Sequence, residues 1–337
     1  MEPRPLTLVI WLIFCAAMIV TMMLIGAITR LTESGLSIVE WRPLIGALPP
    51  LSNAEWNRIF ELYRETSEFR LENSEMTLVE FKKIFWWEYV HRLWGRLIGV
   101  AFGLPLIWFL LRGSVPHWLK PHLILLFLLG GIQGVIGWWM VKSGFVDRHD
   151  VSQYRLVAHL SVAFAILGYM VWLIADLLKA PNKRDPAPEW LRHLLGGMLV
   201  MVFITLASGG LVAGLGAGFD YNTWPLIDNS LLPDGLFNTV PTWRAAFEDI
   251  LTVQFDHRIM AYFSVAGAIF IYLVGRNVPG PSFRNRILTL LAAVAVLQMI
   301  LGITTLLSVV AIPVAVLHQA GAILFFCCAV LAYWAHR

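Results

Sequence analysis

The sequence predicts an all-α integral membrane protein whose eight transmembrane helices form two tandem four-helix bundles, related by a pseudo-two-fold axis along the membrane normal. Three observations lead there. Mean hydropathy is +0.70 and only 14% of the 337 residues are charged, too little polar surface for a water-soluble fold of this size. Apolar runs of about 20 residues, the length that crosses bilayer hydrocarbon, follow one another along the chain. Motifs of the first half reappear in the second at constant spacing.

In order, the spans read near 7–28, 89–111, 120–141, 155–178, 193–215, 252–275, 286–308 and 313–334. Met1-Glu2-Pro3-Arg4-Pro5 runs straight into the first, which is too long for a signal-peptide core and is followed by no small-residue cleavage site. This favours a bacterial inner membrane. The segment 29–88 is not a span, because it carries many Glu and Arg residues. Apolar positions at helical spacing over 53–72 predict a short interfacial helix within it. Basic residues gather in alternate loops: Arg112 and Lys120, then Lys179, Lys183, Arg184 and Arg192, then Arg276, Arg284 and Arg286. The positive-inside rule places those loops and both termini in the cytoplasm, with 29–88 and 216–251 outside.

Net charge is only +3, with no basic cluster of the kind that binds nucleic acid. Cys15, Cys327 and Cys328 all lie in apolar runs, so no disulfide framework and no solvent-facing thiol pair is expected.

The repeat divides the chain into an N-terminal half, 1–180, carrying the long outer loop 29–88, and a C-terminal half, 190–337. Gly26, Gly35 and Trp41 match Gly209, Gly218 and Trp224 at one offset; Gln133 and Gly137 match Gln298 and Gly302 at another. His91-Arg92 matches His257-Arg258, and His159 matches His318. These four histidines stand on the second, fourth, sixth and eighth spans. They stand two to five residues past the estimated helix starts, so they share a similar depth near the outer surface. Ionisable residues inside spans are costly and mark function. Two neutral imidazoles facing each other across a four-helix bundle suit a haem iron, whereas structural zinc would want four ligands at one point.

Arg92, Arg96 and Arg258 lie just inside the outer helix ends and are candidates to bind haem propionates. Gly95, Gly99, Gly130, Gly131, Gly134 and Gly137 either leave room for a porphyrin or mark close helix packing. The halves differ at one informative place. Glu88 shares a helical face with His91, while its counterpart is Gln254. A carboxylate beside one haem site only points to chemistry at that site, with Glu88 as catalytic candidate; pairing of Glu88 with Arg92 is the structural alternative.

Gly26-Ala27-Ile28-Thr29-Arg30-Leu31-Thr32-Glu33-Ser34-Gly35-Leu36-Ser37, with Trp41 and Pro49-Pro50, resembles the first outer loop of the haem A synthase family. Glu88-Tyr89-Val90-His91-Arg92 resembles its second span, and Ala217-Gly218-Phe219-Asp220-Tyr221-Asn222-Thr223-Trp224-Pro225-Leu226 its fifth-to-sixth loop. The resemblance covers essentially the whole chain, and is to the branch lacking an outer-loop cysteine pair. It implies oxidation of a ring methyl of haem O to the formyl group of haem A, for cytochrome oxidase assembly. It further implies His91 and His159 as ligands of the substrate haem, His257 and His318 as ligands of a resident haem b, and Glu88 as acid/base. Partners expected on that basis are membrane lipid, haem O synthase (a farnesyltransferase), cytochrome oxidase assembly factors and a second copy of the chain. The four histidines alone fit two further readings: a di-haem cytochrome b acting as quinol oxidoreductase, and a haem carrier.

Overall fold

The structure, a computed structural model, describes residues 6–40, 45–146, 150–178 and 187–337. Trp41 of the repeat motif and the basic residues Lys179, Lys183 and Arg184 lie outside the described residues. Among the described residues, eight helices are long and apolar enough to cross a membrane: α1 (Leu6–Leu31), α4 (Leu78–Leu111), α5 (Lys120–Val146), α6 (Gln153–Leu178), α7 (Glu189–Leu215), α9 (Ile250–Gly275), α10 (Ser282–Leu307) and α11 (Ile312–His336). The short helices α2 (Asn53–Arg64), α3 (Ser67–Leu71) and α8 (Ala245–Glu248) lie in the connections. Among the described residues there is no strand, only an isolated bridge between Ile227 and Ser230. Leu104, Ile107, Leu128 and Phe263 are among many exposed apolar side chains on the long helices. Such a surface is stable against lipid and not against water. The chain is a multi-pass membrane protein.

The second long helix starts at Leu78 and not near 89. Thr77 caps it: the hydroxyl accepts from Glu80 N, and the Glu80 carboxylate accepts from Thr77 N at 2.9 Å, a reciprocal capping box. With 34 residues, α4 is about 50 Å long, well beyond the roughly 30 Å of bilayer hydrocarbon. One face of its extra turns, bearing Phe81 and Phe85, is apolar, and α2 and α3 cover that face. Trp56, Tyr63 and Phe69 bury against Phe81, Phe85 and Tyr89 in one aromatic cluster. The helix expected over 53–72 is two, α2 and α3, broken where Thr66 caps the second, and the apolar face of α2 packs on protein.

Two compact units result, one of residues 17–163 and the other of residues 1–16 with 164–337. In the second unit α7 packs on α9, α9 on α10, α10 on α11 and α11 back on α7, a closed ring of four helices. The later half of α6 belongs to this unit and lies along α11. Gly168 permits the approach, since a Cβ there would come within 2.8 Å of Phe326. Phe164 meets the same ring edge-on at 5.3 Å, and Asp176 accepts from Trp334 Nε1 at 2.9 Å and pairs with Arg337.

Candidate functional site

Unit 17–163 brings together His91, His159, Gly26, Gly137 and Gln133, all singled out above. His91 on α4 and His159 on α6 are close enough to interact electrostatically. Each imidazole rests on the bare backbone of a glycine in the preceding span. A Cβ on Gly26 of α1 would lie 3.1 Å from His91 Cε1, and one on Gly137 of α5 would lie 3.0 Å from His159 Cε1. Gln133, one turn before Gly137, donates to the His159 carbonyl at 2.9 Å. By contrast, a Cβ on Gly99, Gly130, Gly131 or Gly134 would meet no atom within 4 Å, so these four are not close-packing contacts among the described residues.

The unit 1–16 with 164–337 repeats the arrangement. His257 on α9 and His318 on α11 are again within electrostatic reach. Gly209 of α7 seats His257 at 3.1 Å and Gly302 of α10 seats His318 at 2.9 Å. Gln298 donates to the His318 carbonyl at 3.0 Å. From helix starts at Gln153, Ile250 and Ile312, three histidines stand about two turns in; His91, on the extended α4, stands nearly four turns in. A similar count from the helix start therefore holds for three of the four.

Arg92 and Arg258 reach back to their outer loops in matching ways. Arg92 donates to Ile38 O at 2.8 Å and to the Glu88 carboxylate at 2.5 Å. Arg258 donates to Tyr221 O at 2.8 Å, Thr223 O at 2.9 Å and Gln254 Oε1 at 2.7 Å. Ile38 and Tyr221 are related by the same offset as Gly26 and Gly209. Both arginines thus brace a loop against a helix, using carbonyl acceptors that no side-chain pattern reveals. Arg96 is half-buried on α4, one turn beyond Arg92.

Glu88 is 3% exposed. Besides Arg92, its carboxylate accepts from Ser37 Oγ and Ile38 N, both at 2.7 Å. Three donors thus meet the buried carboxylate. Gln254, the neutral counterpart, donates to Ala217 O at 2.6 Å. One half thus holds a buried carboxylate–guanidinium pair where the other holds an amide.

These residues fit a haem by their donor chemistry. The Nδ1 atoms of His91 and His159 are buried with no hydrogen-bond partner among the described residues. An unmet buried polar atom costs about 1–3 kcal/mol. Neutral imidazole is a ligand that haem iron accepts, and paired imidazoles inside a helical bundle supply both axial positions. Sequence reasoning had missed Ser37 and the role of the four glycines as imidazole seats. The glycines were legible as repeat markers, since all four fall on the repeat offsets.

Residues 9–330 match the COX15-CtaA family, described as cytochrome oxidase assembly protein. The protein named Heme A synthase of Nitrosospira multiformis is 48% identical, across 94% of this chain and 90% of its own. That of Parvibaculum lavamentivorans is 45% identical, across 97% and 93%. That of Bradyrhizobium diazoefficiens is 48% identical, across 95% and 89%. By a match running from the first span to the last, the chain belongs to the COX15-CtaA family of cytochrome oxidase assembly proteins.

Proposed function

We propose that this chain is a haem A synthase, an oxidoreductase that converts the ring methyl of haem O to the formyl group of haem A. The observation that carries the reading is the near-full-length similarity to proteins named Heme A synthase, joined to two glycine-seated histidine pairs. Within it, His91 and His159 bind and orient the substrate haem, and His257 and His318 hold a resident haem b. A bound haem supplies the redox-active iron and conjugated ring. Oxidising a methyl carbon releases protons as well as electrons, and the protons need a base in the working half. Glu88, in the N-terminal half alone, fills that role, and Arg92 holds its charge when ionised. The Arg258 Nε is buried without a partner among the described residues, and a propionate is the acceptor it fits. Arg92 and Arg96 are further candidates for propionates in their own half.

We place both termini in the cytoplasm of a bacterial cell and the histidine pairs toward the periplasmic side, from the charge of the loops. A division into halves at 180–190 follows the repeat, with substrate in the first and haem b in the second. The test is haem analysis by mass of the purified protein, expressed with and without a haem O synthase. Haem A appearing only with haem O supplied supports the reading. Haem b alone in both cultures, with haem O present in the membranes, overturns it.

A further inference from the structure

The two halves differ in how their histidines are held. Ser208, on α7 beside Gly209, lies 2.8 Å from His257 Nδ1 and 2.8 Å from the Thr205 carbonyl. A hydroxyl has one proton. The short contact to a carbonyl oxygen requires a proton between the two oxygens, and only the hydroxyl can supply it. The Ser208 oxygen is then the acceptor toward His257, and Nδ1 of that ring carries the hydrogen. Nε2 is left with its lone pair. In the N-terminal half the repeat offset puts Ile25 where Ser208 stands. Isoleucine offers no acceptor, and His91 Nδ1 is buried with no partner among the described residues. The second histidine of each pair does not show this contrast: Gln133 Nε2 lies 3.4 Å from His159 Nε2 and Gln298 Nε2 lies 3.1 Å from His318 Nδ1, so a glutamine approaches the ring in both halves.

We infer that Ser208 is a positioning residue: it locks His257 in the tautomer and orientation that ligate the resident haem, and Ile25 at the matching place leaves His91 unlocked, so that the N-terminal site can release its haem. This rests on the reading of the two halves given above. A hydrogen bond to the far nitrogen fixes a ligating imidazole and raises its basicity, and its loss typically costs about 10–100-fold in metal affinity. A ligand meant to hold a cofactor through many turnovers gains from such a bond. A ligand to a haem that enters as substrate and leaves as product does not.

The experiment uses the purified full-length protein with its bound haem. Three readouts are taken: the midpoint potential of the low-spin haem, its electron paramagnetic resonance spectrum, and the rate of haem transfer to apomyoglobin. Ser208→Ala is expected to raise the potential, shift the spectrum and speed haem b loss by at least about ten-fold. Ser208→Thr, which keeps a hydroxyl, is expected to restore all three. Ile25→Ser is expected to slow haem release from the N-terminal site while leaving the haem b potential unchanged. If Ser208→Ala leaves potential, spectrum and transfer rate at their wild-type values, the inference is overturned while the reading of the halves stands. If Ser208→Thr behaves as Ser208→Ala, packing and not the hydrogen bond is responsible, and the inference is again overturned. If His257→Ala and His318→Ala both retain the low-spin haem b, the reading of the halves has failed.

Discussion

Gly302 and His318 are in contact: a Cβ added to the glycine would come within 2.9 Å of the imidazole Cε1, closer than such atoms approach in practice. The ring therefore depends on the absence of a side chain one helix away. Gly302→Ala must push the imidazole aside, at a cost of about 1–3 kcal/mol. We expect the variant to lose most of its low-spin haem b absorbance while still inserting in the membrane. Gly197→Ala, where a Cβ meets nothing within 4 Å, serves as the control and should keep its spectrum. Equal spectra for both variants would show that the contact does not orient a ligand.

The buried pair of Glu88 and Arg92 sets the second expectation. Breaking a buried ion pair from one side costs about 3–5 kcal/mol, because the partner charge is left uncompensated. Glu88→Ala should therefore stop haem A formation and lower the stability of the 17–163 unit, yet leave haem b in place. Gln254→Ala removes one neutral hydrogen-bonding group in the other half and should be far milder. Haem extraction from both variants checks this; comparable loss of haem A in the two would contradict a single working half.

Glu68 in α3 is 8% exposed, and burial, aided by the nearby charges of Glu88 and Glu33, pushes its carboxyl up to about 8 against the opposing pull of Tyr63 and Arg30. The sign follows from proton counting. Between the ordinary value of 4.5 and about 8 the folded protein keeps a proton that the unfolded chain releases. Stability contributed by this group must fall as pH rises through that window. Glu68→Gln removes the dependence. Thermal unfolding of the solubilised protein should show little difference between variant and wild type near pH 5 and a more stable variant near pH 8. A difference independent of pH would mean that Glu68 is not protonated in the fold.

Orientation in the membrane is tested with single cysteines. Ser52, the exposed N-cap of α2, belongs to the loop expected outside, and Ser114, exposed in the turn between α4 and α5, to a loop expected inside. Cys15 and Cys328 are buried and Cys327 is partly so, so the background of a thiol reagent is low. Ser52→Cys gives up a cap worth about 1 kcal/mol, which the fold tolerates. It should react with an impermeant maleimide in intact spheroplasts, and Ser114→Cys only after lysis. The reverse pattern would move both histidine pairs to the cytoplasmic side.

The sequence by itself determined the number of spans, the positions of the four histidines and the internal repeat. Hydropathy acts along one dimension, and a repeat preserves spacing within each helix. Even the true start of α4 is legible in Thr77 and Glu80, three residues apart; the apolar run begins later because the first turns mix Glu80, Lys82 and Lys83 with their apolar residues. Tertiary structure decided the rest. Arg92 and Arg258 find backbone carbonyls, Ile38 O and Tyr221 O, which every residue possesses and none advertises. The four glycines act as seats only once an imidazole from another helix arrives above them. The later half of α6 packs with α11 because Gly168 faces Phe326, a meeting of two helices far apart in the chain. The partner of His257 depended on which way the face of α7 that bears Ser208 was turned. These are contacts between residues distant in sequence, and their geometry is set by helix rotation and approach, quantities that a linear pattern of apolar and polar residues does not encode.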